Sequence, residues 1–230
     1  MIYDCLIIDD EKELADNTCE YFNMFDVHSK AVYSSLEAMR FFEHDDARLL
    51  LLDINLSDGS GFSLCKRIRE TKNIPILFIS ARNTDDDKIV ALNIGGDDYI
   101  EKPYSLGVLL AKVRVVLKRY GNAADKAEDE KDYDDGRVRL DGKNRQLFVD
   151  GTLRKLTGME FKLLKYLTDN HDRLVTKKEL FDNVWNDKFT GDGTLNVHIR
   201  KIREEIEEDP ADPKYIETVW REGYRFNSRK

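Results

Sequence analysis

Four short apolar runs in the first half of the chain each end on a residue suited to phosphoryl chemistry. Cys5-Leu6-Ile7-Ile8 leads into Asp9-Asp10, and Leu49-Leu50-Leu51-Leu52 into Asp53. Ile76-Leu77-Phe78-Ile79 leads into Ser80, and Tyr99-Ile100-Glu101 into Lys102-Pro103. Adjacent carboxylates repel and raise each other's pKa unless a cation stands between them. A hard divalent ion meets that need: Mg2+, or Mn2+ in its place, takes a few carboxylates plus water and phosphate oxygens. Asp53 would then be both ligand and nucleophile, aspartyl phosphate being an established covalent intermediate. Asn55 can add its backbone carbonyl, Lys102 can neutralise a phosphoryl oxygen as a point charge, and Ser80 can donate to another. In-line transfer needs chiefly this positioning and charge neutralisation. Helix capping accounts for Asp10 or Asp53 alone, but poorly for all four strand ends together.

Such residues meet only if the runs are parallel strands, since ligands of an open α/β sheet sit outside the strands' carboxyl ends. Amphipathic stretches at 11–25, 35–43, 62–69, 85–94 and 106–119 alternate with the apolar runs. This predicts right-handed crossovers and a doubly wound parallel sheet over residues 1–121. The unbroken Leu49–Leu52 run fits a central strand buried on both faces. Residues 122–135 contain one aromatic and no aliphatic larger than alanine, which predicts a flexible acidic linker. Beyond it, 137–156 read as short strands broken by Asp141-Gly142 and Asp150-Gly151 turns. Thr157-Gly-Met-Glu160 and Thr176-Lys-Lys-Glu179 carry capping-box spacing. A third helix runs from about Gly193 to Glu208, stopped by Asp209-Pro210, and 215–226 reads as a hairpin turning near Arg221-Glu222-Gly223. Strands, three helices and a hairpin predict an α+β winged helix-turn-helix over 136–230.

The 230 residues suit two domains. No apolar run nears the roughly 20 residues of a membrane helix, and no secretory signal opens the chain. The expectation is a cytoplasmic protein with no membrane partner. Three cysteines at unrelated spacings, Cys5, Cys19 and Cys65, form neither a disulfide framework nor a zinc site. The net charge of −8 is uneven: 21 acidic against 15 basic groups in 1–121, seven against two in 122–135, and 17 against 20 in 136–230. The mild basic excess of the last part hints at a polyanion. On the third helix, at about 100° per residue, Leu195, Ile199, Ile202 and Ile206 share a core face. Val197, Arg200 and Lys201 lie opposite, flanked by Thr194, Asn196, His198 and Arg203. Arg can read guanine, and an exposed Val can meet a thymine methyl. The acidic run at 204–209 would repel DNA, so the two N-terminal turns should enter the groove.

These motifs carry a resemblance. Asp9-Asp10, the 51–59 segment Leu-Leu-Asp-Ile-Asn-Leu-Ser-Asp-Gly, Ser80-Ala-Arg82 and Gly96-Asp-Asp-Tyr-Ile-Glu-Lys-Pro103 resemble the receiver domain of two-component response regulators. That domain is a flavodoxin-like five-stranded α/β fold. Leu156-Thr157 to Leu167, Leu174-Val-Thr176 to Trp185, Val197 to Arg203 and Tyr215 to Phe226 resemble the winged-helix domain of the OmpR/PhoB type. The resemblance implies that Asp53 is the phosphoacceptor of a sensor histidine kinase, with Asp9, Asp10 and the Asn55 carbonyl around Mg2+. It makes Ser80 and Tyr99 a switch pair and Lys102 the phosphate-binding lysine, with a cis bond to Pro103. It implies a homodimer on phosphorylation through the fourth helix, fifth strand and fifth helix. Ile89, Leu92 and Leu110 would form the apolar patch, and Asp97, Asp98, Lys112 and Arg119 cross-subunit ion pairs. Lys88 matches a basic position whose usual acidic partner is Val108 here, and Gly107 weakens the fifth helix. The paired winged helices would bind tandem half-sites in double-stranded promoter DNA. Arg200, Lys201 and Arg203 would make groove and phosphate contacts, and Arg221 a minor-groove or phosphate contact from the wing. Gly193 stands where a basic residue is common, and Glu222 puts an acid beside the wing. The implied role is a transcription regulator, not an enzyme. Two rivals are a haloacid-dehalogenase-type phosphatase, which wants a carboxylate where Asn55 stands, and a DNA binder with a vestigial receiver.

Overall fold

The computed structural model describes residues 1–229 apart from 83, 122–131 and 187–189. The chain divides into two compact units, Met1–Gly121 and Asn122–Lys230. In the first, β1 (Cys5–Ile8), β2 (Ser29–Val32), β3 (Leu50–Asp53), β4 (Ile76–Ser80) and β5 (Asp98–Glu101) form one parallel sheet in the order β2-β1-β3-β4-β5. Helices α1 (Lys12–Met24), α2 (Ser35–His44), α3 (Gly61–Thr71), α4 (Asp85–Ile94) and α5 (Leu106–Gly121) connect them. β1, β3 and β4 are buried throughout, because helices cover both faces of a doubly wound sheet. Alternate residues of each strand feed two cores: Leu6, Leu50, Leu52 and Phe78 on one face, Ile7, Leu51, Leu77 and Ile79 on the other. The strands keep register, with Ile8 beside Leu52 and Asp53 beside Ile79, so their carboxyl ends come level.

Local chemistry starts the helices. Ser34, Ser60 and Thr84 each accept a backbone N–H of the first turn, from Glu37, Phe62 and Asp87. After β3 the chain doubles back so tightly that a Cβ on Gly61 would lie 2.0 Å from the Asp53 carbonyl oxygen. Only glycine lets α3 begin there. Gly107 lies in the first turn of α5, less deep in the helix than its sequence context suggests.

In the second unit, β6 (Tyr133–Asp134), β7 (Val138–Asp141), β8 (Gln146–Val149) and β9 (Thr152–Arg154) form an antiparallel sheet. The end of the stretch read as linker is thus a sheet strand, with Tyr133 opposite Leu140, and Tyr133 packs edge-on against Phe226. An apolar anchor was present in a charged context that hid it. The rest of that stretch, 122–131, lies outside the described residues. Helix α6 (Gly158–Asp169) begins with the predicted capping box: the Glu160 N–H donates to Thr157 Oγ1 at 3.3 Å, and the Thr157 N–H to Glu160 Oε2 at 2.7 Å. At the start of α7 (Lys177–Leu180) only half a box forms, because the Glu179 carboxylate turns to Arg173 and Tyr166. A π-helical turn, Phe181–Trp185, follows α7. Then come α8 (Asp192–Ile206), β11 (Ile216–Val219) and β12 (Gly223–Phe226), with β10 (Leu174–Thr176) pairing on β12. Leu195, Ile199, Ile202 and Ile206 join one core with Leu163, Leu167, Trp185 and Phe226. Helices α6 to α8 with the β11–β12 hairpin make the winged helix-turn-helix.

Candidate functional site

The level strand ends of the first unit bring the predicted carboxylates together. Asp9, Asp10 and Asp53 each present an oxygen, and these oxygens all lie within 4.8 Å of one another. Asp9 and Asp53 are buried, and Asp10 is half-buried. Lys102 reaches over from beyond β5, with Nζ 2.6 Å from Asp53 Oδ2, 2.8 Å from Asp9 Oδ2 and 2.8 Å from Glu11 Oε1. Its bond to Pro103 is cis. Burial works against the Lys102 charge, yet hydrogen bonds to Asp53, Asp9 and Glu11 prevail and hold the ammonium above its ordinary pKa. Burial pushes the Asp9 carboxyl up, against the hydrogen bonds from Lys102 and the Glu11 N–H. One ammonium faces four carboxylates, so the pocket holds surplus negative charge. Three hard oxygen donors with that surplus fit a divalent cation of the Mg2+ type.

Asp53 is also positioned by its own loop: Oδ1 accepts the Asn55 N–H at 2.9 Å, leaving the Lys102-facing oxygen towards the cluster. Ser80 is fully buried at the end of β4, and its Oγ accepts the Arg82 N–H at 3.1 Å. The Tyr99 hydroxyl donates to the Arg82 carbonyl. The predicted switch pair is therefore joined through one residue, Arg82, whose guanidinium also donates to Asn55 Oδ1 at 3.0 Å. Sequence reasoning gave no role to Arg82 or Glu11. Glu11 directly follows the Asp pair, a signal for it; Arg82 acts through its backbone, which has no sequence signal.

The predicted dimer face divides on inspection. Ile89 is exposed, together with its neighbour Val90 and with Val108. Leu92 and Leu110 are buried, and Leu110 belongs to the core. Asp97 is not a surface acid: it accepts from Arg69 Nη2 at 2.8 Å, the Ile76 N–H at 2.9 Å and the Tyr120 hydroxyl at 3.1 Å. Asp98 and Lys112 are both buried and pair with each other at 2.7 Å. Lys88 pairs with Glu101 at 2.5 Å within the chain. The side chain of Arg119 lies outside the described residues.

The third helix also needs correction. Arg200 is exposed and Asn196 and Thr194 are accessible, as predicted. Val197 and His198 are not: both are buried, His198 completely, with Nδ1 3.9 Å from Glu160 Oε1. Glu160, in the first turn of α6, and Trp185 lie against His198, neighbours that a single-helix projection cannot show. Arg203 is half-buried and donates to the Ile216 carbonyl and to Thr218 Oγ1, so it fastens the hairpin rather than facing outwards. Arg200 and Lys201 share Glu204, at 3.0 and 3.5 Å. Arg221 stands at the exposed hairpin tip.

Comparison with known proteins agrees with this geometry. Residues 5–114 match the response regulator receiver domain, and residues 151–226 the C-terminal domain of transcriptional regulatory proteins. The sensory transduction protein RegX3 of Mycolicibacterium smegmatis is 37% identical over 96% of this chain and 97% of its own. The regulatory protein VanRc of Enterococcus gallinarum is 33% identical over 95% and 96%. Among solved structures, the Thermotoga maritima OmpR/PhoB homologue DrrB is 28% identical over 99% of this chain and 100% of its own, with a TM-score of 0.52. A RitR variant, 21% identical over 99% and 100%, matches with a TM-score of 0.76 and bears on fold alone. The chain belongs to the two-component response regulators of the OmpR/PhoB type. It is a transcriptional regulator with a receiver domain and a DNA-binding effector domain.

Proposed function

We propose that Asp53 accepts a phosphoryl group from a sensor histidine kinase in the cytoplasm, and that this drives pairing of the chain and binding to tandem promoter half-sites. One observation supports this above the others: Lys102 Nζ lies 2.6 Å from a buried Asp53 inside a three-carboxylate cluster. Asp9, Asp10, Asp53 and the Asn55 carbonyl would hold the Mg2+, which when bound supplies neutralisation of the transferring group. Asp53 Oδ2 attacks phosphorus while the P–N bond to the kinase histidine breaks and its imidazole leaves with the electron pair, and Lys102 then exchanges a carboxylate partner for a phosphoryl oxygen. The phosphoryl group is a strong acceptor for the Ser80 hydroxyl proton, and swinging the Ser80 side chain over to reach it draws Oγ away from the Arg82 N–H that donates to it. The Arg82 N–H then loses its acceptor, and the Arg82 carbonyl that holds Tyr99 moves with the same residue. Two hydrogen bonds on one residue thus link the phosphorylated end of the sheet to the α4–β5 face.

On that face Ile89, Val90 and Val108 offer exposed apolar area to a second copy, while Asp97 is engaged inside the fold. Pairing places two winged helices on one DNA, where linkage raises effective concentration. The α8 contacts are then Thr194, Asn196, Arg200 and Lys201. The reading assigns Asp53 as a phosphoryl acceptor, not a nucleophile that turns over substrates.

The test compares wild type and Asp53→Asn, each with and without a small-molecule phosphodonor, in the presence of Mg2+. A phosphate-affinity gel, light scattering and DNA gel shifts then follow the products. The expected result is a retarded, dimeric, tighter-binding wild type and an unresponsive variant. Equal DNA affinity in all four samples would instead make the receiver vestigial.

A further inference from the structure

The loop that follows Asp53 is built as a small hairpin. Asn55 and Leu56 pair antiparallel with Ser60 and Gly59, which leaves Ser57 and Asp58 at the tip. Its root is fixed to the sheet. The Ile54 N–H donates to the Ile79 carbonyl at 3.3 Å, the Gly61 N–H to the Ile54 carbonyl at 2.8 Å, and the Asn55 N–H to Asp53 Oδ1 at 2.9 Å. Leu56 is buried in the receiver core, whereas Asn55, Ser57 and Asp58 are exposed. The carbonyl of Asn55, assigned above to the cation, therefore belongs to the root of this hairpin.

The tip is held as well, by an element far back along the chain. Asp58 Oδ1 accepts the Ser35 N–H at 2.9 Å and Oδ2 the Leu36 N–H at 3.0 Å, both in the first turn of α2. The first amides of a helix have no acceptor within it. Ser34 Oγ takes the Glu37 N–H at 3.1 Å and the Ser34 carbonyl the Ala38 N–H at 3.0 Å, so α2 already carries its own N-cap. Asp58 takes the two amides that Ser34 leaves, one with each oxygen, where the helix dipole also favours a carboxylate. This end of α2 is braced in turn. The Tyr33 N–H donates to Glu37 Oε2 at 2.8 Å, and the Tyr33 hydroxyl to Asp16 Oδ1 of α1 at 2.7 Å. The hairpin is thus moored twice, on the sheet at its root and on α2 at its tip.

We infer that Asp58 is a positioning residue for the divalent cation: by mooring the 55–60 hairpin to the N-terminus of α2, it fixes the orientation of the Asn55 carbonyl as a ligand. The inference rests on the cation site proposed above. Asp58 is not one of the three clustered carboxylates, and both its oxygens are engaged by α2, so it acts through the hairpin and not by ligation. A backbone carbonyl cannot turn on its own as a side chain does; its direction follows the peptide that carries it. Released at the tip, the hairpin samples more orientations, and the cost of ordering it falls on cation binding. Groups that support metal ligands from behind are typically worth about 10–100-fold in affinity. With one carbonyl among several ligands at stake, Asp58 belongs at the low end of that range. The coupling is reciprocal: a cation that needs the hairpin in place also strengthens the hold of Asp58 on Ser35 and Leu36.

The probe is MnCl2 added to the full-length protein, with the free ion counted by electron paramagnetic resonance. Because Asp58 is exposed and α2 keeps its Ser34 cap, variants at this position retain the fold. Asp58→Ala should weaken binding about tenfold. Asp58→Asn loses the same charge but keeps a carbonyl acceptor for the α2 amides, and should stay within about threefold of wild type. The second readout is amide hydrogen exchange of the 33–38 segment without and with saturating MgCl2. The cation should slow exchange there in wild type and have no effect in Asp58→Ala, where the Ser35 and Leu36 amides have lost their acceptor. If Asp58→Ala binds Mn2+ like wild type, the mooring does not set the site and the proposal fails. If Asp58→Asn is as weak as Asp58→Ala, the loss is one of charge alone, and the proposal fails equally. If wild type itself binds no Mn2+, the cation assignment falls first and takes this inference with it.

Discussion

Two residues show how burial and partners decide a charge. Lys102 stays ionised in a buried pocket because three carboxylates accept from it. Lys102→Met should leave the carboxylates mutually repelling, and phosphorylation by a small-molecule donor should slow at least tenfold, read as incorporated phosphate against time. Glu160 is more deeply buried, and burial alone would raise its pKa. Attraction from His198, 3.9 Å away, together with the Thr157 N–H outweighs that and holds it below the ordinary carboxylate range. A depressed folded pKa stabilises the protein above the unfolded value, about 4.3, and that contribution is lost as pH falls through the folded value. Both tryptophans lie in the second unit, so their fluorescence reports its unfolding. Denaturant midpoints should fall steeply below about pH 4.3, and Glu160→Gln should flatten that slope. An unchanged slope would show that other carboxylates dominate.

At the scale of elements, α8 carries its own restraint. Glu204 sits one turn beyond Arg200 and also reaches Lys201, so it would compete with phosphate for both in the proposed DNA contact. An exposed pair contributes only about 0–1 kcal/mol, so Glu204→Gln should tighten DNA binding by a few-fold at most, measured by anisotropy at several salt concentrations. Gly107 is the complementary case. A Cβ there meets the Tyr21 hydroxyl at 3.7 Å, ordinary contact distance, so space does not demand glycine. Gly107→Ala should stabilise the receiver by roughly 0.5–1 kcal/mol, seen as a higher midpoint in circular dichroism. The helices themselves were legible: apolar spacing outlined the five of the first unit, capping-box spacing marked the starts of α6 and α7, and Asp209-Pro210 bounded α8. The strand at Tyr133–Asp134 was not, because its pairing depends on Leu140 and Phe226, both distant from a charged local window.

For the whole molecule, the carboxylate cluster and Lys102 are built from separate strand ends, so any ligand they hold is linked to folding of the sheet. A cation that binds the native pocket stabilises it by RT ln(1 + [L]/Kd), about 2.7 kcal/mol at a hundredfold excess over Kd. The thermal midpoint of wild type should therefore rise with MgCl2 concentration, and Asp10→Asn should lose most of that rise. A flat response in wild type would count against the cation site. The sequence by itself determined the strand-end chemistry, because a parallel sheet places the residue after each apolar run at one edge whatever packs around it. It also determined the helix periods and caps, which depend on neighbours three or four residues away. Only the tertiary structure decided which polar groups face solvent. Val197 and His198 lie off the main apolar stripe of α8, yet both are buried, His198 beside Glu160 of α6; Arg203 is basic, yet the hairpin takes its donors; Asp97 is acidic, yet Arg69 and Ile76 hold it inside. A helical projection fixes the angle of a side chain about its own axis. What lies along that direction belongs to another element, and folding alone brings it there.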